Sequence, residues 1–290
     1  MKHRISNSHL SVEVLEKGAE LCSFFDHDHG LELLWQADPK AWPRHAPILF
    51  PIVGRLVNDT YKLNGTSYRL TQHGFARDMT FELEEKSDQH IVMSLRQSPE
   101  TLAMYPFAFH LRVSYLLIDS RLRVTYAVEN PGTEPMWFSI GAHPAFHCPI
   151  EPGKEGYEDY ELRFERAETK VTHLITGGLF DGQTEPMLNG QDHIPVSHEL
   201  FAKDALVFHQ LSSAWVALQS RVTGRGVKLH SPNWPYYGIW AKTNGDFVCL
   251  EPWYGRADDT TANGDLTQKT GIIRLEGGST WSAHHDVEAM

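Results

Sequence analysis

The sequence contains no long hydrophobic segment. No stretch of its 290 residues approaches the ~18 apolar residues that a membrane-spanning helix needs. The first residues, from Met1 to His9, also lack the apolar run of roughly 7–15 residues that defines a secretory signal. We therefore expect a cytoplasmic protein without a membrane partner.

Cysteine and positive charge are both scarce. The three cysteines, Cys22, Cys148 and Cys249, are odd in number and far apart in sequence, which argues against a disulfide framework. Aspartate and glutamate number 37 against 26 lysines and arginines, and the formal net charge is −11. We therefore expect no nucleic-acid partner. A small anionic ligand stays possible, because a few arginines in a cleft can override the global charge.

Helical periodicity is rare, whereas alternation of apolar and polar residues recurs along the chain. Residues 10–14, 111–117 and 122–128 alternate in this way, and the last two runs, joined by Asp119 and Ser120, predict a hairpin. Further strands are predicted at residues 215–219, 227–230, 237–241, 247–251 and 272–275. With 22 glycines and 16 prolines, this pattern favours an all-β sandwich or barrel.

Only two short helices are predicted. Ser98 followed by Pro99 is typical of a helix N-cap with proline in the first turn, and Ser197 is a candidate cap for residues 198–203. The polar, glycine- and proline-rich segments 149–156 and 177–191 are interpreted as surface loops. Because candidate site residues lie on both sides of these segments, residues 1–290 are expected to form a single domain.

Two ionisable residues each precede a proline in a strand-like segment: His143 before Pro144 and Glu251 before Pro252. A residue before proline favours extended geometry, and proline gives no N–H to a strand ladder. Both side chains are therefore expected at strand ends that face a common cleft, about the width of a pyranose ring apart. An imidazole and a carboxylate are the groups that proton transfer at two points of one substrate requires.

Four ordered motifs carry a resemblance to a known family. They are residues 51–55 (PIVGR), 73–77 (HGFAR), 141–146 (GAHPAF) and 251–253 (EPW). In order and approximate spacing they resemble the aldose 1-epimerases, or galactose mutarotase-like proteins, and most closely the LacX-like bacterial branch. The resemblance implies a large, twisted, antiparallel β-sandwich and interconversion of the α and β anomers of an aldose. The implied partner is a small-molecule sugar, and a monomer or homodimer is expected.

The resemblance also implies roles for individual residues. His143 resembles the catalytic acid of the family and Glu251 its catalytic base. Arg55 and His73 resemble residues that hold the sugar, and Asp204 matches a substrate-binding aspartate more loosely. Because mutarotation needs only an acid for the ring oxygen and a base for the anomeric hydroxyl, no cofactor or metal is expected.

Arg77 is a further candidate for binding the sugar. Arg55 and Arg77 could instead form structural ion pairs with Asp59 and Asp78, and Arg77→Ala is expected to cost less activity than Arg55→Ala. Two arginines near His73 leave a hexose 6-phosphate open as an alternative substrate, although a free hexose is favoured.

Other functions also stay open. A non-catalytic sugar-binding protein could use the same fold. His27 and His29 would share one face of a strand and could bind a metal, but a solvated turn is favoured because a glycine follows and no distant ligand is suggested. Trp42, Trp240 and Trp253 are candidates for stacking on a sugar ring.

Overall fold

The structure is a computed structural model that describes residues 1–290. It contains 23 strands joined mostly by short turns. In chain order they are β1 (Lys2–Ser6), β2 (Leu10–Leu15), β3 (Leu21–Asp26), β4 (Leu31–Glu32), β5 (Ile48–Leu49), β6 (Thr60–Leu63), β7 (Thr66–Arg69), β8 (Glu82–Lys86), β9 (His90–Arg96), β10 (His110–Ile118), β11 (Arg121–Glu129), β12 (Met136–Phe138), β13 (Ile140–Ala142), β14 (Ala145–His147), β15 (Tyr160–Thr176), β16 (Leu179–Pro195), β17 (Leu206–His209), β18 (Trp215–Ser220), β19 (Gly226–His230), β20 (Tyr236–Trp240), β21 (Phe247–Tyr254), β22 (Ile273–Leu275) and β23 (Thr280–Ala289).

Helices are few and short. The one α-helix, α1 (Pro99–Met104), begins as predicted: the Thr101 N–H donates to Ser98 Oγ, and Thr101 Oγ1 accepts from the Ser98 N–H. The Ser197 side chain accepts from the Leu200 N–H, but the helix it caps is a 3₁₀ helix that ends at Phe201. The 3₁₀ helices are Val57–Asp59, Ala76–Asp78, Tyr157–Asp159, His198–Phe201 and Leu266–Gln268. No helix is long and apolar enough to cross a membrane.

Three antiparallel sheets make up most of the molecule, which confirms the all-β prediction. The largest has nine strands in the order β16-β15-β18-β19-β23-β11-β10-β9-β8. A sheet built on β17-β20-β21-β13-β5, with β14 also paired to β21, carries the candidate site, and β1 to β4 form the third sheet. Two short ribbons, β12-β22 and β6-β7, complete the fold.

In β10 and β11 the alternating sequence pattern corresponds to one buried and one partly exposed face. In β10 and β11 the apolar positions from Leu111 to Leu117 and from Leu122 to Val128 are at most 3% exposed, while the residues between them are partly exposed. These strands pair through the predicted hairpin, with Val113 opposite Tyr126. Because opposite residues share a face, their side chains enter the same core, a cluster of 63 buried residues that receives side chains from all three large sheets.

The prediction that residues 177–191 form a surface loop is wrong. They belong largely to β16, which pairs with β15 in a hairpin. Each of the two strands has 17 residues, and their pairing contains four register shifts. Gly182 and Gly190 adopt positive φ, which suits bulges. Pro186 is tolerated because β16 is an edge strand. The segment therefore has the composition of a loop and the structure of an irregular edge strand.

The outer part of this hairpin leaves the nine-stranded sheet. Only Tyr160 to Phe164 of β15 pair with β18, so the remainder is a two-stranded ribbon. The ribbon end is held where the Phe180 N–H donates to the Asp258 carbonyl and the Phe180 carbonyl accepts from the Thr260 N–H. This docking brings the hairpin over the sheet that carries the candidate site. The predicted loop at 149–156 is confirmed as irregular.

Candidate active site

A cleft of about 590 Å³ opens over the sheet that contains β20 and β21. Its volume lies in the range of small-molecule sites. Five of the six predicted site residues line it, together with aromatic and aliphatic side chains from the sheet and the hairpin end. The predicted residues in its wall are His73, Arg77, His143, Asp204 and Glu251, and the aromatic ones are Trp42, Phe180, Trp240 and Trp253.

His143 and Glu251 contact each other directly in this wall. Gly141 pairs with Trp253 and Ala145 pairs with Cys249, so the same register places His143 opposite Glu251. Their Nε2 and Oε2 atoms are 3.2 Å apart. Our expectation of a gap as wide as a pyranose ring is therefore wrong, because the two residues are cross-strand neighbours. His143 does lie at a strand end, between β13 and β14, whereas Glu251 lies inside β21.

Burial dominates the electrostatics of this pair. His143 is 8% exposed and Glu251 is 1% exposed. Burial raises the pKa of the Glu251 carboxyl well above its usual value, and the nearby Asp204 raises it further. The Trp253 indole N–H, although not aligned for a full hydrogen bond, partly offsets this rise. Burial lowers the pKa of His143 to about 3. The site therefore holds a neutral imidazole beside a carboxyl group that gives up its proton reluctantly.

Aromatic rings hold the His143 imidazole in place. Trp42 stacks on it with centroids 4.9 Å apart and an interplanar angle of 25°. Trp240 meets it edge-on at 5.8 Å, and Trp42 and Trp240 also contact each other. The predicted tryptophans Trp42 and Trp240 therefore line the cleft while they confine the imidazole.

His73 is fixed by two hydrogen bonds to Gly54. The backbone N–H of His73 donates to the Gly54 carbonyl at 2.8 Å, and the backbone N–H of Gly54 donates to Nδ1 of the His73 ring at 3.1 Å. Because Nδ1 accepts, the proton of the neutral ring lies on Nε2, which makes that atom a donor. Burial and the adjacent His143 lower the pKa of His73 well below its usual value, so the ring stays neutral.

Position 54 combines a positive φ with a close approach of the Ala257 backbone, and glycine fits both. Its φ is +71°, and a Cβ atom there would come 2.6 Å from the backbone nitrogen of Ala257. His73 itself has a φ of +68°, a conformation that is uncommon outside glycine. The two hydrogen bonds offset the strain at His73, and strain of this kind is concentrated at functional sites.

Arg77 and Asp204 both reach the cleft with unused polar capacity. Arg77 Nη2 donates to the Gln72 carbonyl at 2.7 Å, but its buried Nε has no partner. Burial lowers the pKa of Arg77 to about 10, which leaves it charged at neutral pH. Asp204 lies between the 3₁₀ helix His198–Phe201 and β17, with a φ of +126°. Its Oδ1 accepts the Ala205 N–H at 2.7 Å.

Both predicted ion pairs are present, Arg55 with Asp59 and Arg77 with Asp78, but the two arginines differ in their position relative to the cleft. Arg55 does not line the cleft: its Nε donates to Asp59 Oδ1 at 3.0 Å and its Nη1 to the Gly177 carbonyl at 3.3 Å. Arg77 Nε is 3.8 Å from Asp78, whose other oxygen accepts from Arg44. Arg55 therefore links the 51–55 segment to the hairpin end, and Arg77 is the arginine exposed to the cleft.

Sequence reasoning missed several residues that line the cleft. Ile175, Gly178 and Phe180 come from the hairpin of β15 and β16, of which residues 177–191 were interpreted as a loop. Lys203 and Lys242 also reach the wall; Lys203 pairs with Glu185 at 2.6 Å and Lys242 donates to the Ala41 carbonyl at 3.0 Å. The one signal in the sequence for any of these residues is that Lys203 directly precedes the predicted site residue Asp204.

The suggested metal ligands His27 and His29 do not converge. His27 Nε2 contacts Ser11 Oγ, and His29 Nδ1 contacts Asp26 at 2.6 Å. A different group does converge: one ligand atom each of His143, Cys249 and Glu251, all within 4.8 Å of one another and all buried.

Similarity to known proteins agrees with this geometry. A family model described as aldose 1-epimerase matches residues 1–274. The chain belongs to the aldose 1-epimerase family. The plasmid-encoded LacX protein of Lactococcus lactis subsp. lactis is 36% identical, and the similarity covers the whole of both chains. The name of that relative states no activity.

Solved structures from the same group of proteins have the same fold as this aldose 1-epimerase family member. A galactose mutarotase related enzyme from Lactobacillus acidophilus is 35% identical, with a TM-score of 0.96 over 100% of this chain and 97% of the other. A galactose mutarotase-like protein from Lactobacillus casei is 30% identical, with a TM-score of 0.92 over both whole chains. The predicted family and the galactose mutarotase-like fold are therefore confirmed.

Proposed function

We propose that this protein interconverts the α and β anomers of a free aldose by acid–base ring opening and closure, without a cofactor. The contact between His143 Nε2 and Glu251 Oε2, 3.2 Å apart in the wall of a sugar-sized cleft, carries the proposal. The anomeric hydroxyl and the ring oxygen are bonded to the same carbon. A base and an acid that act on them together must therefore be neighbours, as these two groups are.

The proton transfers balance within one turnover. The ionised Glu251 carboxylate accepts the proton of the anomeric hydroxyl while neutral His143 donates its Nε2 proton to the ring oxygen and becomes an imidazolate, so that the negative charge passes from Glu251 to His143. The bond between the anomeric carbon and the ring oxygen breaks, and an open-chain aldehyde forms. After rotation about the C1–C2 bond, Glu251 returns its proton to the carbonyl oxygen and His143 recovers its own. Each positioned group contributes roughly 10²–10⁴-fold.

The remaining cleft residues suit a polyhydroxylated ring. His73 Nε2 and the Arg77 guanidinium offer donors, and Asp204 offers an acceptor for sugar hydroxyls. Trp42 and Trp240 supply aromatic faces for the apolar C–H surface of a pyranose. This mixture of apolar walls and a few placed polar groups is what orients a small neutral ligand.

A hexose 6-phosphate is the second candidate, supported by three cations at the cleft: Arg77, Lys203 and Lys242. Each already has a protein partner, namely the Gln72 carbonyl, the Glu185 carboxylate and the Ala41 carbonyl. Because a phosphate would have to compete with these contacts, the neutral sugar is favoured.

The test is a comparison of anomer exchange by NMR for a panel of free hexoses and their 6-phosphates. We expect exchange well above the buffer rate, with a kcat/KM for the best free hexose at least equal to that for its 6-phosphate. A tenfold preference for the phosphate that added salt weakens would instead support the second candidate. Sugar binding without any exchange would support a non-catalytic sugar-binding protein.

A further inference from the structure

The geometry points to an inhibitory site for a soft divalent cation such as Zn²⁺, formed by Cys249, Glu251 and His143. Cys249 and Glu251 are two residues apart on β21, so their side chains lie on one face of the strand. His143 lies opposite Glu251 on the neighbouring strand segment. One ligand atom of each lies within 4.8 Å of the others. The proposed function gives the Cys249 thiol no role.

The three ligand atoms lie within 4.8 Å of one another and would have to move closer together to bind a metal. Zinc bonds of about 2.0 Å to nitrogen or oxygen and 2.3 Å to sulfur place tetrahedral ligands roughly 3.3–3.8 Å apart. The contact between His143 and Glu251, at 3.2 Å, is already close to that spacing. Because both residues line the cleft, a fourth coordination position can face the substrate space.

The ligand types select the ion. A thiolate with an imidazole and one carboxylate favours Zn²⁺ or Cd²⁺, whereas Mg²⁺ and Ca²⁺ prefer sets made only of oxygen atoms. Cys249 is fully buried and must lose its proton to bind. That proton, and the proton of the Glu251 carboxyl group where it is not ionised, pass to the buffer when the metal enters, and the proton of the neutral His143 ring moves from Nε2 to Nδ1.

Metal binding at this site would oppose catalysis. The ion would bind Nε2 of His143 and the oxygen of Glu251, the two atoms that move protons in the proposed function, on which this inference rests. Zinc and sugar would then compete for one site. We expect Zn²⁺ to inhibit anomer exchange, and we expect a raised sugar concentration to relieve the inhibition.

The experiment compares the wild-type protein with Cys249→Ala and Cys148→Ala. Cys148 is the matched control, because it is also a fully buried free cysteine but is not part of the group formed by His143, Cys249 and Glu251. Each protein is titrated with Zn²⁺ and Mg²⁺ while anomer exchange is measured relative to its own uninhibited rate. We expect Zn²⁺ to inhibit the wild type and Cys148→Ala at least tenfold more strongly than Cys249→Ala, and Mg²⁺ to leave all three unaffected.

A second readout does not depend on activity. Titration with Cd²⁺ should produce the ultraviolet charge-transfer absorption of a cadmium–thiolate bond in the wild type and in Cys148→Ala, and none in Cys249→Ala. The same absorption in Cys249→Ala would overturn the site, and so would activation by zinc. If the protein showed no anomer exchange, the cadmium absorption would still decide whether the site exists.

Discussion

His143 faces Glu251 across the junction between two antiparallel strand segments, and each is followed by a proline that cannot donate to the ladder. The ladder is correspondingly sparse there, with the Leu250 N–H donating to the Pro144 carbonyl at 3.1 Å. Their side chains are therefore directed into the cleft by strand pairing, while the prolines limit the backbone hydrogen bonds around them. Two ladder pairs, Gly141 with Trp253 and Ala145 with Cys249, flank His143 and Glu251 and fix their positions opposite each other.

The raised pKa of Glu251 predicts the pH dependence of the reaction. The carboxylate must be ionised to accept a proton, and burial raises its pKa well above the usual value. We expect kcat/KM to rise with pH through an apparent pKa above that of an ordinary glutamate. A pH profile of anomer exchange in non-catalytic buffers measures it. A rate that is already maximal at about pH 5 would contradict the assignment.

The same shift predicts that Glu251→Gln stabilises the protein at higher pH. A group whose folded pKa is raised contributes stability below its unfolded pKa and loses it as pH rises through the folded pKa. Glutamine does not titrate, so the Tm advantage of Glu251→Gln over the wild type should widen between about pH 5 and about pH 8. Calorimetry at both values checks this. A Tm difference that stays constant or shrinks would show that ionisation of Glu251 does not destabilise the folded protein.

Buried histidines predict loss of stability in acid. Burial lowers the pKa values of His143 and His285 to about 3 and of His209 to about 4. Below the unfolded value of about 6.5 the unfolded chain takes up protons that the folded protein does not. The free energy of unfolding should therefore fall with decreasing pH, by about 1.4 kcal/mol per pH unit for each fully buried histidine.

Denaturant unfolding across this pH range measures the slope, and His285→Phe provides a matched variant. His285 is 3% exposed and stacks on Tyr126, so a phenyl ring keeps much of the packing and removes one titrating group. Its slope should be shallower than that of the wild type. Equal slopes in both proteins would exclude His285 as a source of the acid sensitivity.

Arg77→Ala is now expected to lose more activity than Arg55→Ala, the reverse of the order that the sequence suggested. Arg77 lines the cleft, whereas Arg55 lies outside the lining and binds Asp59 and the Gly177 carbonyl. Loss of one charged hydrogen bond should raise the KM of Arg77→Ala roughly tenfold. The effect of Arg55→Ala should be smaller. Steady-state kinetics of both variants decide, and a larger loss in Arg55→Ala would restore the original expectation.

Removal of metal ions is expected to leave the reaction intact. The proposed steps move protons between sugar oxygens, His143 and Glu251, and none of them needs a Lewis acid. Extensive dialysis against a chelator should therefore preserve the rate of anomer exchange. Loss of activity that zinc restores would contradict both this prediction and the inhibitory role proposed for Cys249.

The fold was predictable wherever one strand face is buried and the other is solvated. The alternating patterns of β10 and β11 locate those strands, and Ser98 with Pro99 locates the α-helix. The hairpin of β15 and β16 was missed because its glycines and Pro186 have the composition of a loop, and its strands are held by pairing with each other and by the Asp258 loop. Such tertiary support leaves no periodic signal in the sequence.

The candidate site was predictable in its residues and not in its geometry. The motifs around His73, His143 and Glu251 identified residues that line one cleft, but the 3.2 Å contact depends on a strand register between segments far apart in sequence. The sequence favoured Arg55 over Arg77 as a contact with the substrate, and the structure places them in the opposite order. Their difference arises because the hairpin end packs on Arg55, with Gly178 close to its Cδ, and leaves Arg77 facing the cleft.

The most direct test of the central claim is anomer exchange, measured by NMR, in Glu251→Gln and His143→Ala beside the wild type. Both variants keep the surrounding strands, and circular dichroism can confirm that they fold. Because each removes one of the two groups that transfer protons, we expect each to lower kcat by roughly 10²-fold or more. Near-normal exchange in either folded variant would remove that residue from the mechanism and contradict the account.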